Sequence, residues 1–219
     1  MLIYCAYGGS YGKLARALGN SVVANCPDAN VLTERIEPVP DTGPRPLTGW
    51  IVAQMQAWLR VAHDCDEPLV LMDADMLVLR DISDVFDRDF DVAVTVRPEG
   101  LNSGILFLRP NERSRWFMRA WQKMTALLLE RPDGGEHFLH GHYGSVDQAA
   151  MMILLGIPVE YGCMVLKLDC SEWNACQEHW DDVGDETRML HVKGRLRDDV
   201  MAGRPGRWPH LVEMWEGYA

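Results

Sequence analysis

Short apolar segments alternate with segments of helical periodicity along the first third of the sequence. The segments at 2–7, 30–36 and 68–72 indicate strands, whereas 11–18 and 49–63 carry the apolar spacing that is typical of helices. Strands separated by helices are usually joined by crossover connections and run in the same direction. The sequence therefore predicts an α/β fold with a largely parallel sheet.

Further elements follow along the chain. The sequence predicts strands at 92–96, 104–108, 159–168 and 189–192, and helices at 113–129 and 146–155. We expect Gly19-Asn20 to end the first helix and Thr48 to cap the start of the second one.

The composition indicates one ordinary globular unit. Hydrophobic residues make up 47% and charged residues 24% of the 219 residues, which argues against disorder and coiled coil. We expect a single domain over 1–219, with 200–219 as a C-terminal tail. The net charge is −11, and because nucleic-acid binding needs clustered Lys and Arg, nucleic acid is not expected as a main partner.

The sequence also indicates where such a protein resides. The N-terminal segment lacks the basic region and the long apolar run of a secretion signal, and nothing resembles a membrane-spanning segment. The six cysteines form no CxxC pair, which is typical of reduced thiols. We therefore expect a cytoplasmic protein without a transmembrane segment.

The acidic motif Asp73-Ala74-Asp75 directly follows the most apolar of the expected strands. Ligands of open α/β sheets bind at the carboxyl ends of the strands. Carboxylate oxygens are hard ligands that suit Mg²⁺ or Mn²⁺, and the flanking apolar residues argue against a solvated charged face. The motif therefore indicates a divalent-metal site, although taken alone it also fits a turn with two exposed acids.

Five further short motifs accompany this one. They are Ala6 with Tyr11, Asn102-Ser103-Gly104, Asp147-Gln148, Trp173-Asn174 and His191-Val192-Lys193-Gly194. In this order they resemble the retaining GT-A glycosyltransferase family that contains glycogenin and the bacterial lipopolysaccharide galactosyltransferases. The resemblance implies the nucleotide-diphospho-sugar transferase fold, a Rossmann-like mixed sheet flanked by helices.

The resemblance also implies a reaction. Such enzymes move a sugar from a nucleotide-diphosphate sugar, most commonly a UDP-sugar, to an acceptor hydroxyl with retention of configuration. Their metal, Mn²⁺ or Mg²⁺, is held by both acids of the acidic motif and a later histidine, which here are Asp73, Asp75 and His191. The acceptor, whether a glycan, a lipid-linked sugar or a protein, is not indicated by the sequence.

The family's remaining site residues carry over in two groups. Asn102, Asp147 and Gln148 are expected beside the transferred sugar, as catalytic residues. The donor is expected to contact Ala6, Tyr7, Tyr11, Asp73, Ala74, Gly194 and either Arg197 or Lys193. In this assignment Tyr11 stacks on the base, Gly194 lets the backbone approach the diphosphate, and Arg197 or Lys193 neutralises it.

The sequence departs from the family pattern at two places. Gly8 stands where the family commonly has an acidic residue that reads the base, which leaves the identity of the base open. Arg197 stands where the family has a lysine, and the Pro-Trp pair that usually follows is missing.

Two segments have more than one interpretation. The polar, glycine-rich segment 131–145 carries His137, His140 and His142, whose spacing is not a zinc signature, so we favour an acceptor-facing loop over a second metal site. The C-terminal tail with Trp208 and Trp215 fits either a homodimer contact or membrane contact, as in related enzymes, or a docked closing segment.

Two other functions remain as alternatives. A nucleotidyltransferase would carry a glycine-rich loop with basic residues after the first strand, and Gly8-Gly9-Ser10-Tyr11-Gly12-Lys13 is a faint match to this. A non-catalytic nucleotide-sugar-binding module would keep the fold without the reaction. The presence of all three expected metal ligands and of Asp147-Gln148 favours the glycosyltransferase.

Overall fold

The fold is built on a six-stranded mixed sheet and a separate two-stranded sheet. The computed structural model describes residues 1–40, 46–98, 100–130, 144–156 and 162–219. The strands are β1 (Leu2–Tyr7), β2 (Asn30–Arg35), β3 (Leu69–Met72), β4 (Met76–Val78), β5 (Val92–Arg97), β6 (Gly100–Leu108), β7 (Val165–Asp169) and β8 (Met189–His191).

Five strands of the main sheet run in one direction. Their order is β2-β1-β3-β6-β5-β7, and β6 pairs antiparallel with both of its neighbours while the other pairs are parallel. The largely parallel sheet is thus confirmed, with β6 as the reversed strand. Because β1 and β3 are adjacent and parallel, with Cys5 opposite Met72, the turn after β1 lies beside the acidic motif after β3.

Helices cover both faces of this sheet. They are α1 (Gly12–Asn25), α2 (Pro46–Asp64), α3 (Glu112–Leu129), α4 (Val146–Gly156), α5 (Cys170–Trp173), α6 (Gly194–Ala202) and α7 (Pro209–Glu216), with 3-10 turns at Ser83–Asp87 and Trp180–Asp182.

Alternate side chains of the central strands of the main sheet point into two separate cores. In β1, Ile3 and Cys5 pack with α1, α6 and α7, whereas Tyr4 and Ala6 pack with α2, α3 and α4. The apolar strand segments are therefore buried on both sides.

The first helix runs past the expected stop at Gly19-Asn20, so that prediction is wrong. The helix continues to Asn25 because Ser21 and Val22 are fully buried. The Ser21 hydroxyl accepts the backbone N–H of Val78 at 3.0 Å, which ties the extension to β4. Burial and this tertiary hydrogen bond outweigh the weak helix propensity of glycine.

Other boundaries also differ from the expected ones. The second helix begins at Pro46 rather than after Thr48, in keeping with the preference of proline for the first helical turn. Strand β6 begins at Gly100, so Asn102 and Ser103 lie inside a strand and not before it. Strand β7 begins at Val165, and the earlier part of the expected strand, 159–161, lies outside the described residues.

The small sheet pairs two distant segments. In it β4, directly after the acidic motif, runs antiparallel to β8, with Met76 opposite His191. The expected C-terminal tail contains α7, whose Leu211, Val212 and Trp215 are buried in the core beside α6. Among the described helices, none has the length and apolar character that crossing a membrane requires.

Candidate active site

The carboxyl ends of β1 and β3 border a cavity of about 430 Å³. Its described lining is formed by Ala6, Tyr7, Gly8, Gly9, Ser10, Tyr11, Ile36, Trp50, Ile51, Gln54, Asp73, Ala74, Asp75, Gly144, Ser145 and Arg197. The cavity therefore lies where ligands of open α/β sheets bind, and its size is that of a small-molecule site.

Asp73, Asp75 and His191 form a cluster at the edge of this cavity. One potential ligand atom from each lies within 4.8 Å of the other two. The Nε2 of His191 is 3.3 Å from Asp75 Oδ1 and 3.9 Å from Asp73 Oδ2. The pairing of β4 with β8 brings the histidine to the acids across more than a hundred residues of sequence.

The ring orientation of His191 is fixed by Asn174. The Asn174 amide nitrogen donates to Thr95 Oγ1 at 2.8 Å, so its oxygen faces His191 Nδ1 at 3.0 Å and accepts a hydrogen bond there. The hydroxyl of Thr95 in turn donates to the backbone oxygen of Asn102 at 3.0 Å. Because Nδ1 donates to Asn174, Nε2 is the ring nitrogen that faces the acids and the one that could bind a metal.

Gly104 leaves the space that this cluster needs. A Cβ at this position would lie 2.6 Å from His191 Cε1 and 3.0 Å from both Asn102 Oδ1 and Asp73 Oδ2. The backbone of Gly104 also accepts from the N–H of Asp73 at 2.8 Å and donates to Asn102 Oδ1 at 2.9 Å. The glycine thus joins the acidic motif to Asn102.

The electrostatics of the two acids differ. Burial, together with the charge of Asp75, raises the pKa of Asp73 well above its usual value, and the hydrogen bond from Gln54 at 2.8 Å opposes this only in part. Burial also disfavours the charged form of Asp75, but His191 and Arg197 outweigh it and lower the pKa of Asp75. Two carboxylates and an imidazole whose Nε2 faces them fit a divalent cation, which would relieve the repulsion between the acids.

Arg197 is the basic residue that lines the cavity among the described residues. Its guanidinium lies 3.2 Å from Asp75 Oδ2 and 5.3 Å from the centre of the Tyr11 ring. Lys193 does not line the cavity, although its charge acts on Asp73. Gly194, which begins α6, has a φ of 54°, a conformation that favours glycine.

The residues expected beside the sugar meet around Ser103. The Ser103 hydroxyl donates to Asp147 Oδ2 at 2.9 Å, and its backbone N–H points at Gln148 Oε1 at 3.4 Å. Asn102 and Gln148 are nearly buried. Through Gly104 this group adjoins the Asp73 cluster, and the charge of Asp147 contributes to the raised pKa of Asp73.

The structure thus brings the expected residues together in two linked groups. Ala6, Tyr7, Tyr11, Ala74 and Arg197 line the cavity with the two acids. His137, His140 and His142 lie outside the described residues.

The residues at the site without a role in the sequence interpretation include Trp50, Gln54, Thr95 and Asn174. Asn174 belongs to one of the recognised motifs, so its position was indicated but not its partner. Trp50 and Gln54 stand one helical turn apart on α2, where helical periodicity alone does not distinguish a cavity wall from a core face.

Solved structures of several glycosyltransferases share this fold. The glycosyltransferase GlyE of Streptococcus pneumoniae TIGR4 has a TM-score of 0.63 and 15% identity, over 99% of this chain and 59% of GlyE. A glycosyltransferase involved in the glycosylation of the major capsid of PBCV-1 has a TM-score of 0.60 and 14% identity, over 90% of this chain and 96% of its own. The galactosyltransferase LgtC, in complex with donor and acceptor sugar analogs, has a TM-score of 0.57 and 15% identity, over 99% of this chain and 95% of LgtC.

The sequence itself matches no protein-family model and no curated protein. At identities of about 15% the likeness to the solved structures concerns the fold. Within that limit the expectation from the motifs is confirmed: this chain has the GT-A fold of glycosyltransferases.

Proposed function

We propose that this protein is a metal-dependent glycosyltransferase that moves a sugar from a nucleotide-diphosphate sugar to an acceptor hydroxyl. The observation that carries the proposal is the cluster of Asp73, Asp75 and His191 at the edge of a cavity that Arg197 also lines. Two acids, one imidazole and one guanidinium are the groups that bind a cation together with a diphosphate. The GT-A fold supports this assignment.

The leaving group would be bound at the cluster. A divalent cation held by Asp73, Asp75 and His191 supplies positive charge against the negative charge that grows on the departing diphosphate. Arg197 pairs with Asp75 in the structure, and its planar guanidinium can turn to phosphate oxygens and bind two of them at once. The left-handed turn at Gly194 leaves room for the diphosphate to approach the backbone.

The sugar would lie toward Ser103. There Asn102 donates to a sugar hydroxyl, Asp147 orients the sugar or the acceptor hydroxyl, and the Gln148 amide oxygen stabilises the positive charge that develops at the anomeric carbon. The bond between the anomeric carbon and the phosphate oxygen breaks, and a bond to the acceptor oxygen forms on the same face. The acceptor proton passes to the departing phosphate oxygen, and bond formation on the face that the diphosphate leaves gives retention of configuration.

The cellular setting is part of the proposal. All six cysteines are free, which supports a reducing compartment such as the cytoplasm. The acceptor is a glycan, a lipid-linked sugar or a protein. Because α7 packs against α6 through buried side chains, we favour the docked interpretation of the C-terminal segment over a homodimer contact.

The proposal is tested by incubating the purified protein with a panel of nucleotide sugars, with Mn²⁺ or with a chelator, in the absence of an acceptor. We expect slow release of nucleoside diphosphate that depends on the metal, since water can replace the acceptor. Metal-dependent nucleotide binding without release from any donor would favour the non-catalytic binding module. Release of pyrophosphate from nucleoside triphosphates would favour the nucleotidyltransferase.

A further inference from the structure

Trp50 occupies the space next to Gly8, directly after β1. A Cβ on Gly8 would lie 1.8, 2.3 and 2.7 Å from three carbons of the six-membered ring of Trp50. A side chain at position 8 would therefore start inside the indole. Trp50 thus occupies the space that a side chain at position 8 would otherwise take.

The backbone gives no other reason for glycine at position 8. The left-handed conformation in this turn belongs to Gly9, with a φ of 55°, and Gly8 does not share it. The absence of a side chain at position 8 therefore makes room for the indole of Trp50 in the turn after β1.

The ring lines the cavity one helical turn from Gln54, the residue of α2 that contacts the metal cluster. Trp50 and Gln54 both line the cavity from α2, and the Gln54 amide donates to Asp73 at 2.8 Å. Residues four apart on a helix are neighbours about 6 Å apart on the same face. A diphosphate held at Asp73 and Asp75 would therefore place an attached nucleoside within reach of Trp50.

The chemistry of this part of the cavity suits the flat face of a base better than its polar edge. Ile36, Trp50, Ile51 and Tyr11 supply aliphatic and aromatic surface. Among the described lining residues the acidic side chains are Asp73 and Asp75, and both belong to the metal cluster. Stacking tolerates every base, whereas selecting the ring N–H of uracil or guanine requires an acceptor aimed at the base edge.

We propose that Trp50 is a stacking platform for the donor base beside Tyr11, and that the protein discriminates weakly among nucleoside diphosphates. This inference rests on the proposed function, because it concerns the donor of the same reaction. The expected donors are then nucleotide-diphosphate sugars with either a pyrimidine or a purine base, and not UDP-sugars alone.

The test measures the affinity of UDP, CDP, GDP and ADP by calorimetry in the presence of Mn²⁺, with pyrophosphate as a probe without a base. For the wild-type protein we expect the four nucleotides to bind within about tenfold of one another, as stacking without edge contacts implies. Trp50→Ala is expected to weaken all four by about tenfold or more and to leave pyrophosphate unchanged. We expect nucleotide to quench the tryptophan fluorescence of the wild type. Trp50→Phe should keep most of the affinity and lose this quenching.

Trp116→Ala on α3, a half-buried tryptophan that does not line the cavity, is the matched control and should leave every affinity unchanged. Circular dichroism of each variant separates a lost contact from a lost fold. A wild-type preference for one base well beyond tenfold that persists in Trp50→Ala would overturn the inference while leaving the proposed function intact. Absence of Mn²⁺-dependent binding of any nucleotide and of pyrophosphate would overturn both.

A second pair of variants tests the exchange between Trp50 and the side chain at position 8. Gly8→Asp alone should bind nucleotides poorly, because its Cβ collides with the indole. Gly8→Asp combined with Trp50→Ala opens that space and provides an acceptor. We therefore expect the affinity for UDP to rise relative to the affinity for CDP. If the double variant binds UDP and CDP with the wild-type ratio, position 8 does not face the base and the inference is contradicted.

Discussion

His191 Nδ1 lies 3.0 Å from the Asn174 side-chain oxygen, while His191 Nε2 lies 3.3 Å from Asp75 Oδ1. One ring nitrogen is therefore held by an amide and the other faces the carboxylates. Since Asn174 is buried and is itself held by Thr95, the histidine is oriented before any cation binds.

This relationship makes Asn174 a positioning residue for the metal ligand. Asn174→Leu is expected to weaken Mn²⁺ binding by about tenfold to a hundredfold, as loss of a histidine's outer hydrogen bond does in other metal sites. Asn174→Asp keeps an acceptor for Nδ1 and should retain more of the affinity. A Mn²⁺ titration gives the result directly, and equal affinities for wild type and Asn174→Leu would show that Asn174 has only a structural role.

Gly104→Ala should damage the same cluster by steric means. The new Cβ would lie 2.6 Å from His191 Cε1, so the imidazole or the strand must shift. We expect Mn²⁺ affinity and turnover to fall by at least about tenfold, since a small displacement of a ligand is costly. The control is Gly19→Ala in α1, where a Cβ meets nothing within 4 Å and helix stability should rise by up to about 1 kcal/mol. A fully active Gly104→Ala would contradict the assigned geometry.

Arg197→Ala is expected to weaken donor binding. Loss of a charged hydrogen-bond donor to phosphate should lower kcat/KM by about tenfold to a hundredfold. Arg197→Lys should recover part of this loss through charge alone, without the two-point contact. Arg204→Ala serves as control, because Arg204 pairs with the buried Asp199 at 3.0 Å, away from the cavity lining. If Lys193→Ala is impaired and Arg197→Ala is not, Lys193 is the diphosphate ligand.

Stability should depend on pH through Glu34. The Tyr4 hydroxyl donates to Glu34 Oε2 at 2.6 Å and Arg60 pairs with the same oxygen, so the pKa of Glu34 is lowered. Burial, together with the hydrogen bond to Glu34, raises the pKa of Tyr4. A lowered pKa in the folded state contributes stability above the unfolded pKa of about 4.3, and this contribution is lost as the pH falls through the folded pKa.

Glu34→Gln should therefore be less stable than wild type near neutral pH, by less than about 1 kcal/mol for this half-exposed pair, and the difference should shrink in acid. Urea unfolding at a series of pH values measures it. Glu37→Gln, which loses only an exposed pair with Arg35 at 3.8 Å, should match the wild type throughout. If the difference in unfolding free energy between Glu34→Gln and the wild type stays constant down to acid pH, the charge of Glu34 is not its cause.

Local sequence patterns predicted the elements that depend on local apolar content. Strands β1 and β3 are short and buried on both faces, and the acidic motif follows β3 as expected. The family resemblance supplied residues that the structure gathers at one sheet edge, including His191. The order of the motifs carried this information, since periodicity alone places no histidine next to an aspartate.

The errors occur where distant parts of the chain decide the local structure. The first helix passes through Gly19 because Ser21 binds the backbone of β4. The two-stranded sheet of β4 and β8, which brings His191 to Asp75, joins segments with no common pattern. Trp50 reaches Gly8 from another element, so the reason for that glycine appears only in three dimensions.

The central claim is that the cluster of Asp73, Asp75 and His191 holds the metal for glycosyl transfer. The most direct measurement compares nucleoside diphosphate release by Asp75→Asn and Asp199→Asn in Mn²⁺, each corrected for the folded fraction. Both substitutions neutralise a buried carboxylate that pairs with an arginine, at 3.2 Å for Asp75 and 3.0 Å for Asp199. We expect Asp75→Asn to lose turnover and Asp199→Asn to keep it. Turnover near the wild-type rate in folded Asp75→Asn would contradict the claim.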